Sequence, residues 1–140
     1  MQQQLLVHLI ILEMHLRLHS LGITLGWWQP DHGLEWELSA DQHHHLSRIF
    51  RELVSNIIRH AAATEAGFDL MSVADGWRFR LTDNGKGMCT GEPGGSGGRS
   101  LKVRAMELGA TINWLTSESG GVEVLLCLPK NDAKSLPLAP

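Results

Sequence analysis

The sequence has no apolar run long enough to cross a bilayer. Its longest candidate, Leu5 to Leu12, is interrupted by His8 and stops at Glu13, far short of the ~20 residues a spanning helix needs. No signal-peptide pattern is visible. There is no excess of basic charge: 12 Lys and Arg against 15 Asp and Glu leave a net charge of −3. That gives no support to a nucleic-acid binder whose affinity rests on a broad basic face. Cysteine is scarce, and Cys89 and Cys127 match no metal or redox spacing, which suits a reducing cytoplasm. No internal repeat occurs. A Gly-x-x-x-x-Gly-Lys-[Ser/Thr] phosphate loop is missing as well. The run Gly95-Ser96-Gly97-Gly98-Arg99-Ser100 lacks the third glycine of a dinucleotide fingerprint and does not sit in a βαβ unit.

What remains is a chain of 140 residues, 43% hydrophobic and 19% charged, the size and composition of one globular domain. Residues 5–22 read as a helix with Gly22 as its stop. Its apolar residues Leu5, Leu6, Val7, Leu9, Ile10, Ile11 and Leu12 go most of the way round, more than one packing stripe requires. "ITLGWWQ" reads as a strand, Pro30 to Gly33 as a turn and "LEWEL" as a short strand. Ser39 or Asp41 can cap a long helix running to about Ala62. "FDLMSV" and "WRFRLT" are strands joined at Ala74-Asp75-Gly76. A glycine-rich segment, a helix "RSLKVRAMELG" and a hairpin of "TINWLTS" with "VEVLLCLP" follow. The expected fold is an α/β (α+β) two-layer sandwich: a mixed, mostly antiparallel sheet with helices on one face. The last residues, 130–140, read as a disordered tail. Trp27, Trp36, Trp77 and Trp114 fall in strand patterns and read as core and rim packing.

The long helix carries polar groups at its edge. At 100° per residue, Ile49, Phe50, Leu53, Val54, Ile57, Ile58 and Ala61 fill one arc, and Arg48, Arg51, Ser55 and Arg59 fill the opposite one. Glu52, Asn56 and His60 form a single row along the boundary, with His60 inside the apolar arc. Burying such groups without partners costs about 1–3 kcal/mol each, so a row of three makes most sense lining a cleft. A carboxylate beside an amide oxygen also suits magnesium. The bland alternative is an amphipathic helix with a polar shoulder. His15 with His19, and His43 to His45, are weaker metal candidates, since no third ligand is well placed beside either.

Three segments carry a resemblance. "ELVSNIIRHA", with Glu52, Asn56, Arg59, His60 and Ala61, resembles the N-box of the GHKL ATPases, the superfamily of gyrase, heat-shock chaperones, sensor histidine kinases and mismatch-repair proteins. "DNGKGM", from Asp83, resembles its first glycine box. "GSGGRSLKVRAMELGATINW" is similar to the second, followed by the Arg-x-x-Ala-x-x-Leu-Gly helix of nitrate-sensor and desaturase-sensor histidine kinases. The resemblance implies a Bergerat fold that binds ATP with Mg²⁺. Asp83 would accept from the adenine amine, with Gly85 and Gly87 letting the backbone pass close to the base. Asn56 would hold Mg²⁺, Glu52 would serve as the catalytic carboxylate near the γ-phosphate, and Arg59 and His60 would face phosphate. Gly95, Gly97 and Gly98 would form the ATP lid, with Arg99, Ser100 and Leu101 beginning the phosphate-facing helix.

By this resemblance residues 23–129 are the ATP-binding catalytic domain, and the helix of 1–22 is a remnant of the connection to a dimerisation domain. The implied partners are a histidine-containing dimerisation domain and a response regulator, with self-association through the N-terminal helix. The implied place is the cytoplasm, as a free domain or as the cytoplasmic part of a membrane-anchored sensor. Two departures stand out. Val122 occupies the place where the family often has a threonine in the adenine pocket. Before residue 22 no histidine is followed by Asp or Glu: His8, His15 and His19 precede Leu, Leu and Ser. The chain therefore reads as a catalytic domain acting on a histidine elsewhere, and as inactive in autophosphorylation by itself. A stand-alone serine kinase of the anti-sigma type and a nucleotide-gated interaction module are the alternatives.

Overall fold

The computed structural model describes residues 2–28, 38–74, 76–87 and 95–129. The expected turn at Pro30 to Gly33, most of the "LEWEL" strand, Cys89 and the tail lie outside the described residues. The described chain runs α1 (Gln2–His19), β1 (Thr24–Trp28), α2 (Ala40–Asn56), β2 (Glu65–Val73), β3 (Gly76–Asp83), α3 (Gly95–Glu107), β4 (Thr111–Thr116) and β5 (Val122–Pro129). The five strands form one sheet in the order β1-β2-β3-β5-β4. Only β1 with β2 is parallel; the other pairs are antiparallel. The mixed sheet with helices on one face is thus as the sequence implied.

Period-2 alternation explains which face is covered. Trp77, Phe79, Leu81 and Asp83 of β3 are buried, as are Ala66, Phe68 and Leu70 of β2 and Val124, Leu126 and Leu128 of β5. On the other face of β3, Arg80 stands 3.4 Å from Asp69 and 3.8 Å from Glu123, a charge ladder across three strands. Such a solvated face is normal for a largely antiparallel sheet. Phe50 of α2 meets Phe68 edge-on at 5.5 Å between centroids and sits 5.7 Å from Phe79, which fixes α2 over the middle of the sheet.

Local signals set the helix ends. Ser39 caps α2: its hydroxyl accepts from the Gln42 N–H while the Gln42 side chain accepts from the Ser39 N–H, a reciprocal capping box. Gly22, at φ +81°, closes α1, with the Ile23 N–H returning to the Leu18 carbonyl at 2.9 Å as in a Schellman turn. Helix α1 packs on α2 and β1, and Val7, Ile10, Ile11, Met14 and Leu18 enter the same core as the sheet. There is no break in packing at residue 22. Another side of the helix is open: Leu9, Leu12 and Leu16 are 46, 51 and 57% exposed.

Candidate functional site

One end of β3 is built around a buried carboxylate. Among the described residues, Asp83 is the only buried charged side chain, 4% exposed. Its Oδ1 accepts from the Gly85 N–H at 2.8 Å and from the Val122 N–H at 3.4 Å. Among the described residues, no hydrogen bond reaches Oδ2. "DNG" is therefore both a turn and a wall, because the carboxylate that closes the turn is the one that faces the site. The side chain of Val122 is apolar, yet its main-chain N–H helps hold Asp83.

Two further glycines make the cradle. A Cβ on Gly121 would overlap the main-chain and carboxylate oxygens of Asp83. Gly87, at φ +89°, would bring a Cβ to 2.8 Å from the Gly120 carbonyl. Ser119 adds a hydroxyl bond to the Asp83 carbonyl at 3.2 Å. Sequence reasoning missed Gly121, Ser119 and Asn84; the Gly120-Gly121 pair was the visible signal. Asn84 Oδ1 accepts from the N–H groups of Thr64 and Glu65 at 2.9 and 3.0 Å, and its Nδ2 donates to Thr64 Oγ1 at 2.9 Å. That side chain ties the Asp83 turn to the segment leaving the long helix.

The long helix changes form beside this tie. α2 passes into a π-turn over Ile57–Ala61, and Ala62 then takes the left-handed conformation at φ 53°. π-turns occur frequently at functional sites. Glu52 and Asn56, upstream of the wide turn, are half-buried at the rim as their spacing implied. His60 is exposed rather than inside the apolar arc: a wider turn advances less than 100° per residue, so a wheel drawn for an α-helix drifts out of phase past Asn56 and misplaces His60. Arg59 links the row, donating to Asn56 Oδ1 at 3.2 Å and standing 3.5 Å from Glu52. Exposed pairs of this kind are worth about 0.2–1 kcal/mol, so Arg59 can change partners at little cost.

α3 supplies the third side. It begins at Gly95, so Gly95, Gly97 and Gly98 form its first turn instead of a loop ahead of it. Glycine is a poor helix former; here Gly98 is buried and Leu101 is fully buried in the core, and packing overrides propensity. The first four N–H groups of a helix lack intrahelical partners, which suits an anion. Leu101, expected at the nucleotide, has its side chain wholly in the core, while Arg99 and Ser100 are exposed. Between α2 and α3 lies a cleft of about 330 Å³, lined by His44, Arg48, Arg51, Glu52, Ser55, Ser100 and Arg104. It brings Glu52 and Ser100 together across the two helices.

No family model matches the chain. Solved structures share its fold. The ATP binding domain of PrrB from Mycobacterium tuberculosis superposes with a TM-score of 0.65 at 19% identity, covering 86% of this chain and 90% of that one. The Acinetobacter baumannii histidine kinase AdeS gives 0.70 at 14% identity, over 92% of this chain and 65% of that one. Sequence similarity reaches further. Sensor protein VraS of Staphylococcus epidermidis is 30% identical over 99 residues, and that of Staphylococcus aureus (strain COL) 32% over 93 residues. The chain belongs to the GHKL histidine-kinase ATP-binding domains. This kinase domain matches 69% of its own length to the first VraS but spans only 28% of that relative. Among its described residues no helix is long and apolar enough to cross a membrane.

Proposed function

We propose that the domain binds Mg-ATP and passes the γ-phosphoryl group to a histidine on a separate domain or chain, as the catalytic part of a two-component sensor kinase. The observation that carries this reading is Asp83: a buried carboxylate with one oxygen held by two main-chain N–H groups and the other, among the described residues, without a hydrogen bond. A spare carboxylate oxygen accepts from the exocyclic amine of adenine, where guanine offers a carbonyl. The cradle of Gly87 and Gly121 keeps side chains away from the base. Asn56 Oδ1 and the Glu52 carboxylate are hard oxygen donors of the kind magnesium takes together with water, and Asn56 would hold the ion. When bound, Mg²⁺ supplies charge neutralisation to the phosphates.

Arg59 would leave Asn56 and Glu52 for phosphate, His60 faces solvent where phosphate can reach it, and the open N–H groups of Gly95 to Gly98 add further donors. Glu52, on the wall of the cleft between α2 and α3, would serve as the catalytic carboxylate. Transfer of this type depends on positioning and charge stabilisation rather than on covalent catalysis. A response regulator as the next acceptor and self-association through α1 belong to the same proposal. For the latter, Leu9, Leu12 and Leu16 have the i, i+3, i+7 spacing of a helix–helix seam.

Calorimetry with ATP and GTP tests the site. ATP with Mg²⁺ should bind and GTP should not. Asp83→Asn, which presents an amide donor to an amine donor, should weaken ATP by roughly ten- to a hundredfold. Equal affinity in the mutant would sink the adenine assignment. Incubation with γ-labelled ATP and candidate acceptors tests transfer: an acid-labile product is phosphohistidine, an acid-stable one points to serine, and no product points to a nucleotide-gated module.

A further inference from the structure

α1 carries a histidine pair that nucleotide binding does not use. His15 and His19 stand one turn apart, with ring centroids separated by 5.5 Å and planes 20° apart. Two imidazoles bound to one tetrahedral cation at about 2.0–2.1 Å have centroids roughly 5 Å apart, so the pair is close to a chelating arrangement. His19 is exposed, and half-buried His15 meets Trp27 edge-on at 5.9 Å between centroids. The His15 Nδ1 is buried and, among the described residues, has no hydrogen-bond partner, so no such bond fixes which way the ring turns. Among the described residues of one chain, no third His, Cys, Asp or Glu joins the pair. Two ligands make half a site.

His19 is also the next position of the leucine seam. Leu9, Leu12, Leu16 and His19 follow at intervals of three, four and three residues, the a/d alternation of a coiled coil. The charges beside the seam are engaged by α2 rather than turned toward an approaching helix. Glu13 takes two hydrogen bonds from Arg51, at 2.6 and 3.1 Å, and Arg17 donates to the Arg51 carbonyl and to Ser55 Oγ. We propose that α1 pairs in parallel with α1 of a second copy, and that the two His15–His19 pairs then hold one transition cation of the zinc class. A parallel twofold pairing sets each seam residue against its own equivalent, so both histidine pairs lie at one end. An antiparallel pairing sends them to opposite ends and leaves each with two ligands. A polar residue in a seam fixes register at a cost in stability, and a shared cation with four nitrogen ligands offsets that cost. The proposal rests on self-association through α1 and adds its direction and its ligand. Imidazole suits zinc where magnesium takes oxygen, so this site is distinct from the nucleotide's.

Sedimentation of the untagged, nucleotide-free chain in EDTA, Zn²⁺ or Mg²⁺ tests the site, beside calorimetric titration with Zn²⁺. Zn²⁺ should tighten the dimer about tenfold or more relative to EDTA, at one ion per two chains, and Mg²⁺ should not. His19→Ala is the deciding variant, because that side chain is exposed and the core is untouched. It should remove the zinc effect and keep the metal-free self-association, and His15→Ala should do the same. ATP affinity should stay within about twofold of wild type in both, since neither residue belongs to the nucleotide site. Self-association that is equal in Zn²⁺ and EDTA overturns the shared site and leaves the seam standing. Zinc held by monomers at one ion per chain overturns it in favour of a site within one chain. A zinc-driven dimer that survives His15→Ala with His19→Ala overturns it by placing the metal elsewhere. Monomers under every condition overturn the seam and the metal site together, and ATP titration of the same protein judges the kinase reading separately.

Discussion

At the scale of single residues, the site is defined by how little room surrounds Asp83. The carboxylate is buried, two main-chain donors hold one of its oxygens, and Gly121 lies so close that a methyl group would occupy the space of Asp83 itself. Gly121→Ala is therefore expected to lower stability by about 1–3 kcal/mol, the usual cost of overpacking a filled site, and to weaken ATP binding as well. A melting curve beside an ATP titration checks both, and a variant that melts and binds like wild type would show that the cradle is looser than described. Asp83 was legible in the sequence through the resemblance of "DNGKGM" to a glycine box. Its supports were not. Gly121 and Ser119 approach it only because β5 pairs with β3, a contact between positions far apart in the chain.

At the scale of elements, the long helix was legible for its α-helical part and illegible beyond it. Ser39, the arc from Ile49 to Ile57 and the polar rim at Glu52 and Asn56 follow from capping and a 100° period. The π-turn does not, since a wider hydrogen-bond ring is chosen by tertiary packing and leaves no mark in composition; His60 was misplaced for that reason. The glycine-rich start of α3 failed in the same way, because propensity argued against a helix that Gly98 and Leu101 hold by burial. Asn56→Ala is expected to keep the fold and remove the Mg²⁺ dependence of ATP binding, since Asn56 stands at the rim rather than in the core. ATP affinity with and without Mg²⁺, beside a melting curve, decides it, and a mutant that simply unfolds would favour a structural role. On α1, Leu9→Glu with Leu12→Glu should leave ATP binding intact and give monomers by sedimentation. A wild-type chain that is already strictly monomeric would end the idea of self-association through that seam.

For the whole molecule, the helical layer is continuous. α1 gives five buried residues, Val7, Ile10, Ile11, Met14 and Leu18, to the core shared by α2 and the sheet, and Arg17 reaches across to the Arg51 carbonyl at 3.0 Å and Ser55 Oγ at 2.9 Å. Removing such a layer uncovers several side chains, each worth about 2–5 kcal/mol on truncation, against a total stability of about 5–15 kcal/mol. Deletion of residues 1–22 should accordingly unfold the chain, read as loss of a cooperative melt. A truncated form that melts cooperatively and binds ATP would make α1 an appendage.

The strut at Asn84 has a consequence for chemical ageing. An asparagine followed by glycine is the pair most prone to lose its side-chain amide, through attack by the following main-chain nitrogen on the amide carbon. Here the Asn84 amide is fixed by three hydrogen bonds to Thr64 and Glu65, and the attacking nitrogen, that of Gly85, has its hydrogen committed to Asp83. The folded protein should therefore protect this bond, and the reaction should proceed only in molecules whose turn has opened. Deamidation at Asn84, followed by mass spectrometry on stored protein, becomes a slow chemical clock that counts how often the site comes apart.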